Sequence, residues 1–339
     1  MASVPRQQAK PKVKFWRSPY FRFGGSTVIL ILLLTYLPYR KVFGTIQRIP
    51  PAAALSLLGI YLALHLLGVV KWRLLINLAG ADLTFPQTVR CYYWGLFGNI
   101  FLPSLVGGDL VRAGMAFRFS RSRAAIVLGS LMDRVQDVGG LLGVTLIGVL
   151  FLPGALDYRS HKTLWTIGAV ITLGGLAAAG SMFLVPARKF PFKFRRIMVK
   201  LRRGVLSMYR RPGRMLFCFL VGMLLQVSQV AINYSLAEIT GLHIAFSLWL
   251  FAWPLAKLSA LLPVTQGGIG VREVALVSLL APFGVAGVQA AAVGLTFQAI
   301  VITGGLVGGI LALAMGRLSS LSRPRSTDAI HEFAGSEAE

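Results

Sequence analysis

The stretch LPSLVGGDLVR, residues 102–112, returns as LPVTQGGIGVR, residues 262–272. Both read L-P-x-x-x-G-G-x-x-V-R, with the Leu, the Pro, both glycines, the Val and the Arg in register. Proline cannot continue a helix interior, and a glycine pair removes the side-chain barrier to unusual backbone angles. The phrase therefore predicts a helix stop, a short irregular passage and a restart. A restarting helix presents unpaired N–H groups and the positive end of its dipole, which favours an anion. In each copy the closing arginine, Arg112 or Arg272, falls in that first turn and adds a fixed charge.

The surroundings say where this phrase lies. Of 339 residues, 55% are hydrophobic and only 14% charged, and the mean hydropathy is +0.70. Soluble domains carry nearer a quarter charged residues. Several apolar runs approach or exceed the roughly 20 residues needed to cross a bilayer. The chain reads as an all-α, polytopic membrane protein of about eight spans, with the two phrases as re-entrant or broken-helix repeats. Inside a membrane, irregular backbone is tolerated only where protein buries it or water reaches it. Two broken helices in corresponding positions of two halves point to a transporter's binding site. A lipid phosphate is the anion most available at that depth, and arginine grips phosphate bidentately. The competing reading is that Gly-Gly lets helices approach closely while each Arg reaches for the interface.

The apolar runs fall at about 24–39, 51–70, 84–107 (broken by Asn99 and Pro103), 124–153, 164–186, 215–237 and 243–262. Residues 274–316 carry no charged side chain and predict two spans with a turn at APFG, residues 281–284. The net charge of +24 sits in blocks that flank these runs. That pattern sets membrane orientation and excludes the basic face of a nucleic-acid binder. The same blocks attract anionic head groups.

The basic tail 1–23 and the loop 188–214, with its eleven Lys and Arg, are placed on the cytoplasmic side. Lys71 and Arg73 then end the second span on the inside, and Arg118, Arg121 and Arg123 precede the next span on the inside. Region 84–112 must enter and leave by one face. Arg40, Lys41 and Arg48 fall outside and run against the rule. Within the loop, RRIMVKLRRGVLSMY (195–209) suits an interfacial helix. The organisation is thus a cytoplasmic tail over 1–23, a membrane domain over 24–316 and a disordered cytoplasmic tail over 317–339, in the inner membrane with both termini cytoplasmic.

Five acids lie in or beside apolar segments: Asp109, Asp133, Asp137, Glu238 and Glu273. Ionisable groups at membrane depth face a cavity or a partner. Asp133 and Arg134 are adjacent, point apart on a helix and need separate partners. Asp133 and Asp137 share one face. They either serve a ligand or are neutralised by Arg112 or Arg272. Asp109 and Glu273 flank the repeat arginines as gating or charge-balancing groups. The candidate substrate-binding set is Arg112, Arg272, Gly107, Gly108, Gly267, Gly268, Asp109, Glu273, Asp133, Arg134, Asp137 and Asn99. Gln226, Gln229, Asn233 and Tyr234 line a cavity or bond between helices. Lys257 reads as a snorkelling lysine and His65 as a packing residue. Cys91 and Cys218 form neither a metal spacing nor a disulfide framework, and no cofactor motif, metal cluster or nucleotide-binding loop is present.

LPSLVGGDLVRAG, SLMDRVQDVGGLL and LPVTQGGIGVREVAL together resemble the lysylphosphatidylglycerol synthase transmembrane-region family of flippase-like membrane proteins, over roughly residues 24–316. The resemblance implies an integral inner-membrane protein tied to lipid translocation or to a lipid-linked step in envelope biogenesis. Full-length synthases of that family add a cytosolic aminoacyl-transfer domain, whereas 23 residues follow position 316 here. A stand-alone flippase-like form is expected, without lysyl-lipid synthesis. The function expected is a translocase, not an enzyme, moving an anionic or lipid-linked head group through a polar cavity between the repeats. The alternative is a membrane partner of, or enzyme in, lipid or lipid-linked glycan synthesis. Expected partners are membrane lipids (an anionic phospholipid or a polyprenyl-phosphate-linked substrate), lipid-synthesis enzymes and a second copy of the chain, with no nucleic acid.

Overall fold

A computed structural model describes residues 39–102, 107–120, 122–152, 199, 202–208, 210–260 and 268–321. The tail 1–23, the apolar runs of 24–38 and 164–186, Pro103, Pro263 and Gly267 lie outside the described residues, as does most of the stretch 188–201. The described residues are mostly helical, with no strand among them. In chain order the helices are α1 (Tyr39–Ile46), α2 (Pro51–Leu78), α3 (Phe85–Phe101), α4 (Gly107–Ala116), α5 (Arg123–Leu150), α6 (Pro212–Ile239), α7 (Phe246–Ser259), α8 (Val271–Leu280) and α9 (Gly287–Leu321).

Three of them, Pro51–Leu78, Pro212–Ile239 and the stretch Gly287–Arg317 of α9, are long and apolar enough to cross a bilayer. Helix α5 matches α2 and α6 in length at 28 residues but carries Asp133, Arg134 and Asp137 at mid-length. The turn expected at APFG is present as a 3-10 turn, Ala281–Phe283, closed by Gly284 at φ +76°. The helices around it differ from the expectation. Helix α7 has 14 residues and α8 has ten, about 21 and 15 Å at 1.5 Å per residue, against roughly 30 Å of hydrocarbon. The spans expected at 243–262 and twice within 274–316 are thus met by one helix of spanning length, α9. That helix also continues to Leu321, past the expected start of the tail at 317.

The short helices form two antiparallel pairs that open at opposite ends of the bundle. In the first pair, a Cβ added to Gly95 of α3 would stand 2.9 Å from Arg112 Cβ of α4, and one on Gly98 would stand 2.7 Å from Val111. Its open end holds Cys91 and Ala116 in one cluster with Trp72 and Ile76 of α2 and Ile126 of α5. In the second pair, Phe251 near the start of α7 meets Phe283 just beyond α8, ring centroids 6.3 Å apart. There the close of α5 lies against α7: a Cβ on Gly148 would come 2.5 Å from Phe251 N. Each pair leans on a helix from the other half of the chain, α3 on α9 and α7 on α5.

Lipid tails are as apolar as leucine, so close backbone approach, rather than the hydrophobic effect, holds such helices together. The G-G-L-V-G-G run 304–309 supplies it on α9. A Cβ on Gly305 would stand 3.0 Å from Leu96 O, and one on Gly308 would stand 2.9 Å from Tyr93. The basic segment 202–208 is helical, and its Met208 is buried with Leu78 of α2 and Leu128 of α5.

Candidate functional site

A cavity of about 190 Å³ lies between the two short pairs. Arg112 and Arg272 both line it, one from each pair. So do Asn99, Gly108, Asp109, Asp133, Arg134 and Asp137.

On the first-pair side the charges form a continuous alternating chain. Asp137 Oδ1 lies 2.5 Å from Lys71 Nζ, and Lys71 Nζ lies 3.0 Å from Asp133 Oδ1. The other oxygen of Asp133 accepts from Arg112 Nη2 at 2.8 Å, and Arg112 reaches Asp109 at 3.1 Å. Asp109 closes the chain on Arg134. Three cations thus face three carboxylates. Buried charge is tolerated only when paired and hydrogen-bonded, and Lys71 and Arg112 are 2% and 6% exposed. Trp72 and Tyr92 flank the Arg112 guanidinium, 4.5 and 5.2 Å from ring centroid to Cζ. An aromatic face adds cation–π attraction to the pairing.

The second-pair side is compact. Arg272 donates to Glu273 Oε1 at 2.7 Å and to Gln298 Oε1 of α9 at 2.6 Å. The other Glu273 oxygen accepts from Gly270 N at 2.7 Å, which makes Glu273 the cap of its own helix start. Gly268 and Gly270 there have φ of +75° and +85°, the left-handed region that glycine enters without strain. Trp253 and Phe297 bracket the guanidinium at 5.1 and 5.6 Å.

At each helix start one N–H is already engaged. Gly108 N is taken by Asn99 Oδ1 at 2.8 Å, and Gly270 N by Glu273. Among the described parts of the two phrases, these N–H groups serve to fix the turns.

Three residues, Lys71, Lys257 and Gln298, take places that the sequence does not predict. Lys71 is no marker of the membrane surface, because it is buried and bridges Asp133 and Asp137. Lys257 does not reach outward. It lines the cavity, and Gln226 Oε1 and Gln229 Oε1 accept from its ammonium at 2.8 and 2.7 Å. Gln298 acts on Arg272 as Asp133 acts on Arg112, each from the long helix that follows its short pair. His65 packs as expected, edge-to-face on Tyr61 with centroids 4.4 Å apart, and also lines the cavity, hydrogen-bonded to the Tyr92 hydroxyl at 3.3 Å. A lysine directly after the apolar run 51–70 was the available signal for Lys71. Nothing in the local pattern marks Gln298. Glu238 stands apart from the cavity, in an exposed pair with His243. Among the described residues no group of His, Cys, Asp and Glu could hold a metal.

Residues 22–309 match the family described as Lysylphosphatidylglycerol synthase TM region, and the chain belongs to that family. It is also similar to a UPF0104 membrane protein of Methanothermobacter thermautotrophicus (strain Delta H), at 23% identity, with 78% of this chain and 86% of that protein covered.

Proposed function

We propose that this membrane protein of the lysylphosphatidylglycerol synthase TM family is a lipid translocase of the cytoplasmic membrane, with the central cavity as its head-group compartment. One observation carries the reading: the two copies of one sequence phrase approach a single charged cavity from opposite ends of the bundle. Inverted pairs of broken helices around a midplane site are how transporters expose one site alternately to two faces. In this reading α2, α5, α6 and α9 cross the membrane, and two further crossings are those expected from the sequence alone at the apolar runs 24–39 and 164–186. The short pairs enter from opposite faces without crossing. Six crossings and two re-entrant pairs, in place of eight spans, keep the tail 1–23 and the loop 188–214 on the cytoplasmic side. They also return the C-terminus to that side. Aliphatic wall residues such as Ile100, Val301 and Ile302 suit acyl chains that stay in lipid while the head group is held.

The test is a cavity blocked after folding. Cys91 and Cys218 are fully buried, so a cysteine placed by Ile302→Cys is the accessible thiol of the described residues. In proteoliposomes with a fluorescent phosphatidylglycerol, the unlabelled variant should move lipid as wild type does. Labelling it with a bulky maleimide should stop movement at least tenfold. Equal movement before and after labelling would sink the translocase reading.

A further inference from the structure

The cavity's cations are not alike. Lys71, Arg112, Arg134 and Arg272 each have a carboxylate within ion-pairing distance. Among the described residues, none lies within that distance of Lys257. Its ammonium is held by the oxygens of Gln226 and Gln229, one helical turn apart on α6. Two neutral amides orient a cation but cannot cancel its charge. An uncompensated cation at membrane depth is costly, and such groups mark ligand pathways.

The hydrogen-bond inventory points the same way. An ammonium has three donors and no acceptor. Two of the three are used by the glutamines, which leaves one for a ligand at the cavity wall. With their oxygens turned to Lys257, both glutamines keep only NH₂ donors for the cavity. The cavity therefore offers surplus donors and one surplus positive charge, which is the complement of an oxyanion carrying one negative charge.

We propose that Lys257 is the ligand-contacting cation of the cavity and that its ligand is a phosphodiester monoanion. Arg112 and Arg272, whose charges are already met by Asp133 and Glu273, hold the two turns in place as positioning residues. The source of the phosphodiester, a lipid head group rather than a soluble phosphate, rests on the translocase reading.

The experiment is binding in detergent micelles, with no transport involved. The probes are a fluorescent phosphatidylglycerol and an uncharged fluorescent glycolipid with the same acyl chains. Lys257→Gln should weaken phosphatidylglycerol binding at least tenfold, and Lys257→Arg should retain it. The glycolipid should not distinguish the three proteins. The thermal unfolding midpoint of Lys257→Gln should stay level or rise, because no ion pair is broken. Undiminished phosphatidylglycerol binding by Lys257→Gln would overturn the proposal. So would equal loss of both probes with a lowered midpoint, which would assign Lys257 to the fold. Displacement of the lipid probe by an equal concentration of glycerophosphoglycerol, a soluble phosphodiester monoanion, would overturn the lipid as source. Lys257-dependent binding in a wild-type protein that moves no lipid would sink the translocase reading and leave this site standing. Translocation with binding indifferent to Lys257 would do the reverse.

Discussion

The two short helix pairs carry one sequence phrase and solve its charge differently. Around Arg112, neutralisation is spread over α2, α4 and α5 in a chain of six charged side chains whose members lie up to 66 residues apart. Around Arg272 it is local: the partner is the next residue, Glu273, and the second acceptor is the neutral Gln298. A motif therefore fixes where a guanidinium stands and leaves open what balances it. The spread network ties three helices together, whereas the compact one fixes a single turn and leaves Lys257 unmatched a short distance away.

The difference is open to breaking by substitution. The largest effect is expected at Asp133, which balances both Lys71 and Arg112. Asp133→Asn leaves three cations facing two carboxylates in the buried network and should cost about 3–5 kcal/mol, read as a lowered unfolding midpoint in detergent. Glu273→Gln removes one charge next to one arginine and keeps an acceptor for Gly270 N. It leaves buried Arg272 with the neutral Gln298 as its acceptor, so its cost should be about 3 kcal/mol. Equal losses would mean that the spread and the local arrangement are energetically the same. Next in size is the α3–α9 contact that seats the first pair against the other half of the chain. Gly308→Leu forces a side chain against Tyr93 and should cost about 1–3 kcal/mol by overpacking. Unchanged stability there would show that the halves are not held by close backbone approach.

A smaller effect sharpens the picture within the first network. Arg134 and Asp109 are 28% and 22% exposed at their side chains, so their pair is partly screened. Arg134→Gln should cost no more than about 1 kcal/mol, well below Asp133→Asn, although both residues stand on one helix one position apart. A loss as large as that of Asp133→Asn would mean that the chain of charges acts as one unit and not as a buried core with a weaker end.

What was legible in the sequence followed from local physics. Transfer free energy marks the apolar runs, proline and glycine pairs mark the breaks, and charge at membrane depth marks residues in need of partners. The duplicated phrase located both turns, and the acids at 109, 133 and 137 were singled out together with both arginines. The helix lengths of the second half are not legible in the sequence, because α7 is as apolar as a spanning helix and α8 leads into a long uncharged run. Only a contact such as Phe251 with Phe283 reveals that the chain turns back.

The sequence by itself determined that this is a helical membrane protein with two broken-helix phrases and ionisable groups between them. The tertiary structure decided that the two pairs open at opposite ends, that Lys71 bridges Asp133 and Asp137, and that Lys257 faces two glutamines instead of a carboxylate. The reason is physical: helix formation and membrane burial depend on residues a few positions apart, whereas charge pairing depends on which helices become neighbours. That choice is made by glycine-permitted close approaches such as α3 against α9, where the residues in contact lie more than 200 positions apart.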